Sequence, residues 1–190
     1  MKTKFPLAAA QSVADEIARA LRPGCAEVVI AGSVRRLKPE VGDVEIVYVP
    51  RVETLPDPGD LFASRSANHA EEAIAGLLKA GTLAKRRNVN GAETFGPRNK
   101  LLVHTRTGIP VDLFATTADC LPNYLVCRTG PAELNQYIAT LALKRGWRWN
   151  PYGQGFTSIS GEASHPVTSE REVFDFVGLP YREPRERGPA

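Results

Sequence analysis

Ala31-Gly32-Ser33-Val34-Arg35-Arg36 and, shortly after it, Gly42-Asp43-Val44-Glu45-Ile46 are the stretch on which the fold turns. Ala26-Glu27-Val28-Val29-Ile30-Ala31 is a β-type run that stops at Gly32, and Asp43 to Val49 is a second one. Side chains alternate along a strand, so Asp43 and Glu45 share a face while Val44 and Ile46 point into a core. Two carboxylates on one strand face repel each other unless a cation lies between them. Mg²⁺, a hard ion that prefers oxygen, suits that position. A third acid interrupts the apolar run Pro110-Val111-Asp112-Leu113-Phe114. A lone carboxylate there is costly without a partner. If its strand lies beside that of Asp43, three acids converge.

Gly32-Ser33 follows a strand directly, where small residues expose backbone N–H groups in a nest suited to phosphate oxygens. Ser33 adds a hydroxyl and Arg36 a charged fork. Taken singly, Gly-Ser is a turn, Asp-x-Glu a solvated edge and Arg35-Arg36 a surface charge. Acids for metal within ten residues of donors for polyphosphate together describe a nucleotidyl-transfer site.

The chain around this stretch has 190 residues and a mass of 20.7 kDa. At roughly 150 residues per domain it allows one domain, or one and a small second. No apolar run approaches the roughly 20 residues of a membrane span, and the N-terminus lacks a signal-peptide core. Cys25, Cys120 and Cys127 are odd in number and lack CxxC spacing, as expected of reduced thiols. A cytoplasmic protein is expected, in the nucleoid or a phage-infected cell included, neither secreted nor membrane-bound. Twenty-four Lys and Arg against 21 Asp and Glu give +3, which excludes a histone-like polyanion binder and permits nucleic acid.

Helix and strand signals alternate, so a mixed fold is expected. Pro6 opens a first helix with Ala10, Val13, Ala14, Ile17 and Leu21 at helical spacing. Ser33 to Gly42 and residues 50–66, broken by prolines and without periodicity, read as loops. Asn68 and Glu71 cap a second helix; Thr82 to Ala115 reads as strands with turns at Asn90-Gly91 and Thr107-Gly108. Beyond residue 117 a helix opens at Gly130-Pro131, a β-like stretch follows, and Ser169 with Glu172 caps a last helix. The tail Arg182 to Ala190 is expected to fray.

Gly32-Ser33-x-x-Arg36 and Gly42-Asp43-x-Glu45 resemble the signature of the DNA polymerase beta nucleotidyltransferase superfamily. Val111-Asp112-Leu113, Thr129-Gly130, Asn135, Leu141-Ala142-Leu143-x-x-Gly146, Asn150-x-Tyr152-Gly153, Val173-Phe174 and Gly178-Leu179-Pro180-Tyr181 are similar in order and spacing to family X DNA polymerases. Lys4-Phe5-Pro6 resembles the entry to that family's palm. The resemblance implies an α+β fold: a polymerase beta-like palm of mixed sheet and helices over 1–117, and a small α/β thumb over 118–190.

It further implies that Asp43, Glu45 and Asp112 form the carboxylate triad of a two-metal site for Mg²⁺ or Mn²⁺. Gly32, Ser33, Arg36 and Lys4 would bind the nucleotide phosphates, Thr129 and Gly130 would pack under its sugar, and Asn135 would face its base. The implied reaction adds a deoxynucleotide from a dNTP to a primer 3′-hydroxyl on a DNA primer-template, distributively and in repair, by a monomer. Basic residues flanking the Asp112 strand, Lys85, Arg86, Arg87, Arg98 and Lys100, are candidates for the DNA track.

Two other functions compete: a template-independent nucleotidyltransferase acting on RNA, protein or a small molecule, and a catalytically dead nucleic-acid-binding module. The sequence departs from the family at Glu45, where Asp is usual, at Cys127-Arg128, where Tyr-Phe is common, and at Ala139, where some members have Arg. No lyase or fingers domain is expected before Lys4, and no helix-hairpin-helix glycine pattern is present.

Overall fold

The protein is described by a computed structural model covering residues 3–57, 59–88 and 90–188. The order is β1 (Phe5–Pro6), α1 (Leu7–Leu21), β2 (Cys25–Ile30), α2 (Gly32–Arg35), β3 (Glu40–Val41), β4 (Val44–Pro50), β5 (Val52–Asp57), β6 (Asp60–Asn68) and α3 (His69–Lys79). Then follow β7 (Leu83–Lys85), β8 (Asn99–His104), β9 (Pro110–Ala115), α4 (Leu121–Thr129), α5 (Ala132–Lys144), β10 (Trp147–Asn150), β11 (Gly155–Ser158), β12 (Ser164–Pro166) and α6 (Glu170–Val177).

A five-stranded mixed sheet of order β2-β4-β9-β8-β7 organises the N-terminal part; β4 and β9 run parallel, the other neighbours antiparallel. Alternation sorts the two faces. Val44, Ile46, Tyr48, Val111 and Leu113 pack on α1 and α3 through Ala14, Ile17, Leu21 and Ile74. On the opposite face Val47 and Phe114 meet Tyr124 and Leu125 of α4. The next residue of α4, Val126, belongs to a second core with Ile138, Ala142, Trp149, Phe156, Val173 and Phe174. One helix thus touches both cores.

Three sequence expectations are corrected. Residues 50–66 contain not a loop but the β5–β6 ribbon, pairing Val52 with Asn68 through Pro56 with Ser64. Val52, Glu53 and Thr54 are exposed, so neither burial nor alternation marked the strand, and an isolated ribbon tolerates prolines. The basic stretch after Ser33 contains α2 and β3, not only loop. The tail does not fray within the described residues. A 3₁₀ turn at Pro184–Glu186 leads Arg187 into the protein, where its side chain is fully enclosed.

Arg187 Nη1 binds Glu170 Oε2 at 2.8 Å, its Nε donates to the Arg182 carbonyl, and Arg35 of α2 takes the other Glu170 oxygen at 2.5 Å. Breaking a buried ion pair leaves an uncompensated charge and costs about 3 kcal/mol or more. Arg187→Ala leaves Glu170 still paired with Arg35 and so costs less, about 1–3 kcal/mol, against within about 0.5 kcal/mol for exposed Arg182→Ala. Urea unfolding midpoints of the two variants measure the difference.

Candidate functional site

Parallel pairing sets Glu45 of β4 opposite Asp112 of β9, each flanked by buried Val44 and Ile46 or Val111 and Leu113. Both acids therefore stand on the face turned away from α1 and α3. Gly32, with φ +62°, backs Glu45 so closely that any Cβ there would collide with its carboxylate. The Glu45 carboxyl is pushed up to about 7, first by burial and then by Asp43, with Asp112 adding and Arg128 and Arg36 opposing. Asp112 accepts from Arg86 Nη2 at 2.5 Å.

Among the described residues no three His, Cys, Asp or Glu side chains stand close enough to enclose an ion as placed. The donor set still suits one. It consists of carboxylate oxygens that are partly enclosed and repel one another, the chemistry a hard divalent cation takes.

Of the residues expected on the phosphate side, Arg36 and Gly130 meet where α2 approaches α4. Arg36 donates to the carbonyl of Thr129, its Nε is buried without a partner, and burial lowers its pKa. Gly130, with φ +63°, ends α4 beside the Arg36 guanidinium. Ser33 is half-buried in α2, and exposed Lys4 has its ammonium near Gly42. Thr129 departs from expectation. It is fully buried and its hydroxyl accepts from Arg35 Nη1 at 2.7 Å, so as placed it packs the junction instead of meeting a sugar. Asn135 donates to the Cys127 carbonyl at 2.8 Å, its Oδ1 buried and unbonded.

The five basic candidates divide. Lys100 is corrected: its side chain is 2% exposed and binds Glu71 of α3 at 2.6 Å. Alternation along β8 turns Lys100, Leu102 and His104 to the core, so this lysine cannot reach DNA. Arg86 lies on Asp112 rather than along an open edge. Lys85 stays exposed beside Glu93 and over Phe95, and Arg87 and Arg98 are exposed.

Arg35, Glu170 and Arg187 were missed, because their meeting joins residues far apart in the chain. Arg128 was marked only as a departure from an aromatic; its guanidinium carbon lies 3.6 Å above the Phe114 ring centre.

The palm-like sheet with its acids and the helical part beyond it define a nucleotidyltransferase fold of the polymerase beta type. A family model described as the DNA polymerase beta thumb matches residues 124–188. DNA polymerase lambda of Arabidopsis thaliana is 28% identical over 98% of this chain and 37% of its own length. DNA polymerase lambda of Rattus norvegicus is 26% identical over 90% of the chain and 30% of its own. The ternary P/T complex structure of Leishmania infantum polymerase beta superposes with a TM-score of 0.74 at 18% identity, covering 98% of this chain and 77% of that one. The chain is thus similar to polymerases lambda and beta over nearly its whole length, and its fold is that of polymerase beta. It spans about a third of the length of the curated relatives it matches.

The strained Glu45 carboxyl has a measurable consequence. Its folded value of about 7 lies above the ordinary 4.5, so between these pH values the folded protein keeps a proton that the unfolded chain releases. Stability of the metal-free protein falls as pH rises through that window. Glu45→Gln should remove the fall. Thermal melts in EDTA between pH 4.5 and 7 test this; identical pH slopes for parent and variant would refute it.

Proposed function

We propose that this chain is a DNA polymerase that adds deoxynucleotides to a primer 3′-hydroxyl and releases pyrophosphate. The observation that carries the proposal is the in-register pair Glu45 and Asp112, with Asp43 nearby, on the sheet face next to α2 and Arg36. We take residues 1–117 as the palm and 118–190 as the thumb, with template DNA running beside them. The ternary complex of the Leishmania enzyme and the polymerase names of the relatives support a DNA substrate.

In this mechanism Asp43, Glu45 and Asp112 would hold two divalent cations, Mg²⁺ or Mn²⁺. Those ions, when bound, supply activation of the hydroxyl and neutralisation of phosphate charge. Everything else falls to the chain itself. Ser33, Arg36 and the backbone at Gly32 donate to the β- and γ-phosphates, with Lys4 adding charge from the neighbouring loop. Arg36 Nη1 is held by the Thr129 carbonyl, which leaves its other outer nitrogen for phosphate. Arg86 holds one oxygen of Asp112, a carboxylate that would share the cations. Three unpaired thiols agree with a reducing, cytoplasmic setting.

Primer extension with each dNTP and each rNTP, with and without template, tests the proposal. Templated dNTP addition supports it, whereas addition without template points to a terminal transferase. Asp112→Ala should abolish extension while nucleotide binding persists. Arg36→Ala should weaken nucleotide binding by about 1.5–3 kcal/mol.

Binding to duplex DNA should rest on phosphate contacts and show little sequence preference. Each contact contributes about 0.9 to the slope of log affinity against log salt. Replacing exposed Lys85, Arg87 and Arg98 together should flatten that slope by up to about 3 units, while Lys100→Met leaves it unchanged. An unaltered slope in the triple variant would move the DNA track to the thumb.

A further inference from the structure

A cavity of about 340 Å³ opens beyond the end of β9, apart from Ser33 and Arg36, with Arg98, Asn99, Thr116, Thr117, Arg128 and Tyr152 in its wall. The volume falls within the range of small-molecule sites and exceeds what a bare phosphate fills. Two of these residues carry polar atoms that are sealed from solvent and lack a hydrogen bond: Arg128 Nε and Asn99 Oδ1.

Arg128 is the more telling. Its guanidinium lies over Phe114 at 3.6 Å, with Tyr152 at 5.2 Å, and its side chain makes no hydrogen bond or ion pair among the described residues. Ring contact satisfies a face of the guanidinium and leaves its in-plane N–H donors for an anion. Glu45 lies within electrostatic reach of this charge but does not pair with it. Arg98 supplies a second, exposed guanidinium at the same cavity, and Thr116 and Thr117 add hydroxyls. Arg128 Nε and Asn99 Oδ1 have no accessible surface, so what this wall offers a ligand is the outer nitrogens of Arg128, the Arg98 guanidinium and the two hydroxyls.

The required ligand carries an anion for the arginines, donors or acceptors for the two hydroxyls, and a flat ring for Tyr152, which is 52% exposed. We propose that this cavity is a second nucleotide-binding site, distinct from the triphosphate site, taking one nucleotide unit. Its phosphate lies between Arg98 and Arg128, and its base lies against Tyr152. The unit is either a free nucleoside monophosphate or the terminal residue of a DNA strand, which share this chemistry. The proposal goes beyond the polymerase assignment and does not need it, because no catalytic acid takes part.

Thymidine 5′-monophosphate binding, followed by ligand-observed NMR on the full chain in EDTA, tests it. The parent and Arg36→Ala should bind alike, because the site is not the triphosphate site. Arg128→Leu and Arg98→Ala should each weaken binding about tenfold or more, the effect of one lost charged hydrogen bond. Arg98 is exposed, so its variant folds whatever Arg128→Leu does. An oligodeoxynucleotide with a 5′-phosphate that binds tighter than the monophosphate identifies a strand end; equal affinity identifies the free nucleotide. Thymidine or inorganic phosphate binding as tightly as the monophosphate would overturn the proposal. So would loss of binding in Arg36→Ala, or parental affinity in Arg98→Ala.

Discussion

Everything at the centre of this molecule depends on the parallel pairing of β4 with β9. Backbone hydrogen bonding between two otherwise apolar strands forces Glu45 and Asp112 to be neighbours, although their charges oppose it. The strands tolerate this because their other faces are buried against α1 and α3, and because Arg86 balances one of the two acids. Fold stability thus holds together a charge arrangement that would disperse in a flexible loop.

Around that pair the chain is arranged by contacts of long range. α2 carries Gly32 and Ser33, proposed here to face phosphate, and its Arg35 is anchored on Thr129 of α4 and Glu170 of α6. Glu170 is held in turn by Arg187 from the chain's end. The last residues of the chain therefore help orient a helix near its beginning. Since α4 contributes to both cores, a shift of the C-terminal part relative to the sheet must also be felt at Phe114 and Arg128.

The sheet, the acids and the principal helices were legible because each follows a local rule. β4 and β9 are apolar runs broken by single acids, and α3 and α6 begin with Asn68 and Ser169 side chains that accept from their first-turn amides. Other features obey no local rule. Among the described side chains of the β5–β6 ribbon only Ala67 is buried, too little for alternation to show in its sequence. α4 was missed because Leu121, Tyr124, Leu125 and Val126 face two cores and spread its apolar residues around the helix. Lys100 looked like a surface base because sequence cannot say which side of β8 meets Glu71. Arg187 looked like part of a loose tail for the same reason: its partner lies 17 residues away.

The ribbon formed by β5 and β6 makes a two-stranded sheet separate from the five-stranded one and joins β4 to α3 without entering its strand order. Loop closure costs grow slowly with length, so such a detour can be lengthened, shortened or rebuilt at small thermodynamic expense. It is where related chains can diverge freely, and where a fluorophore or an inserted peptide can be carried while the acids keep their register.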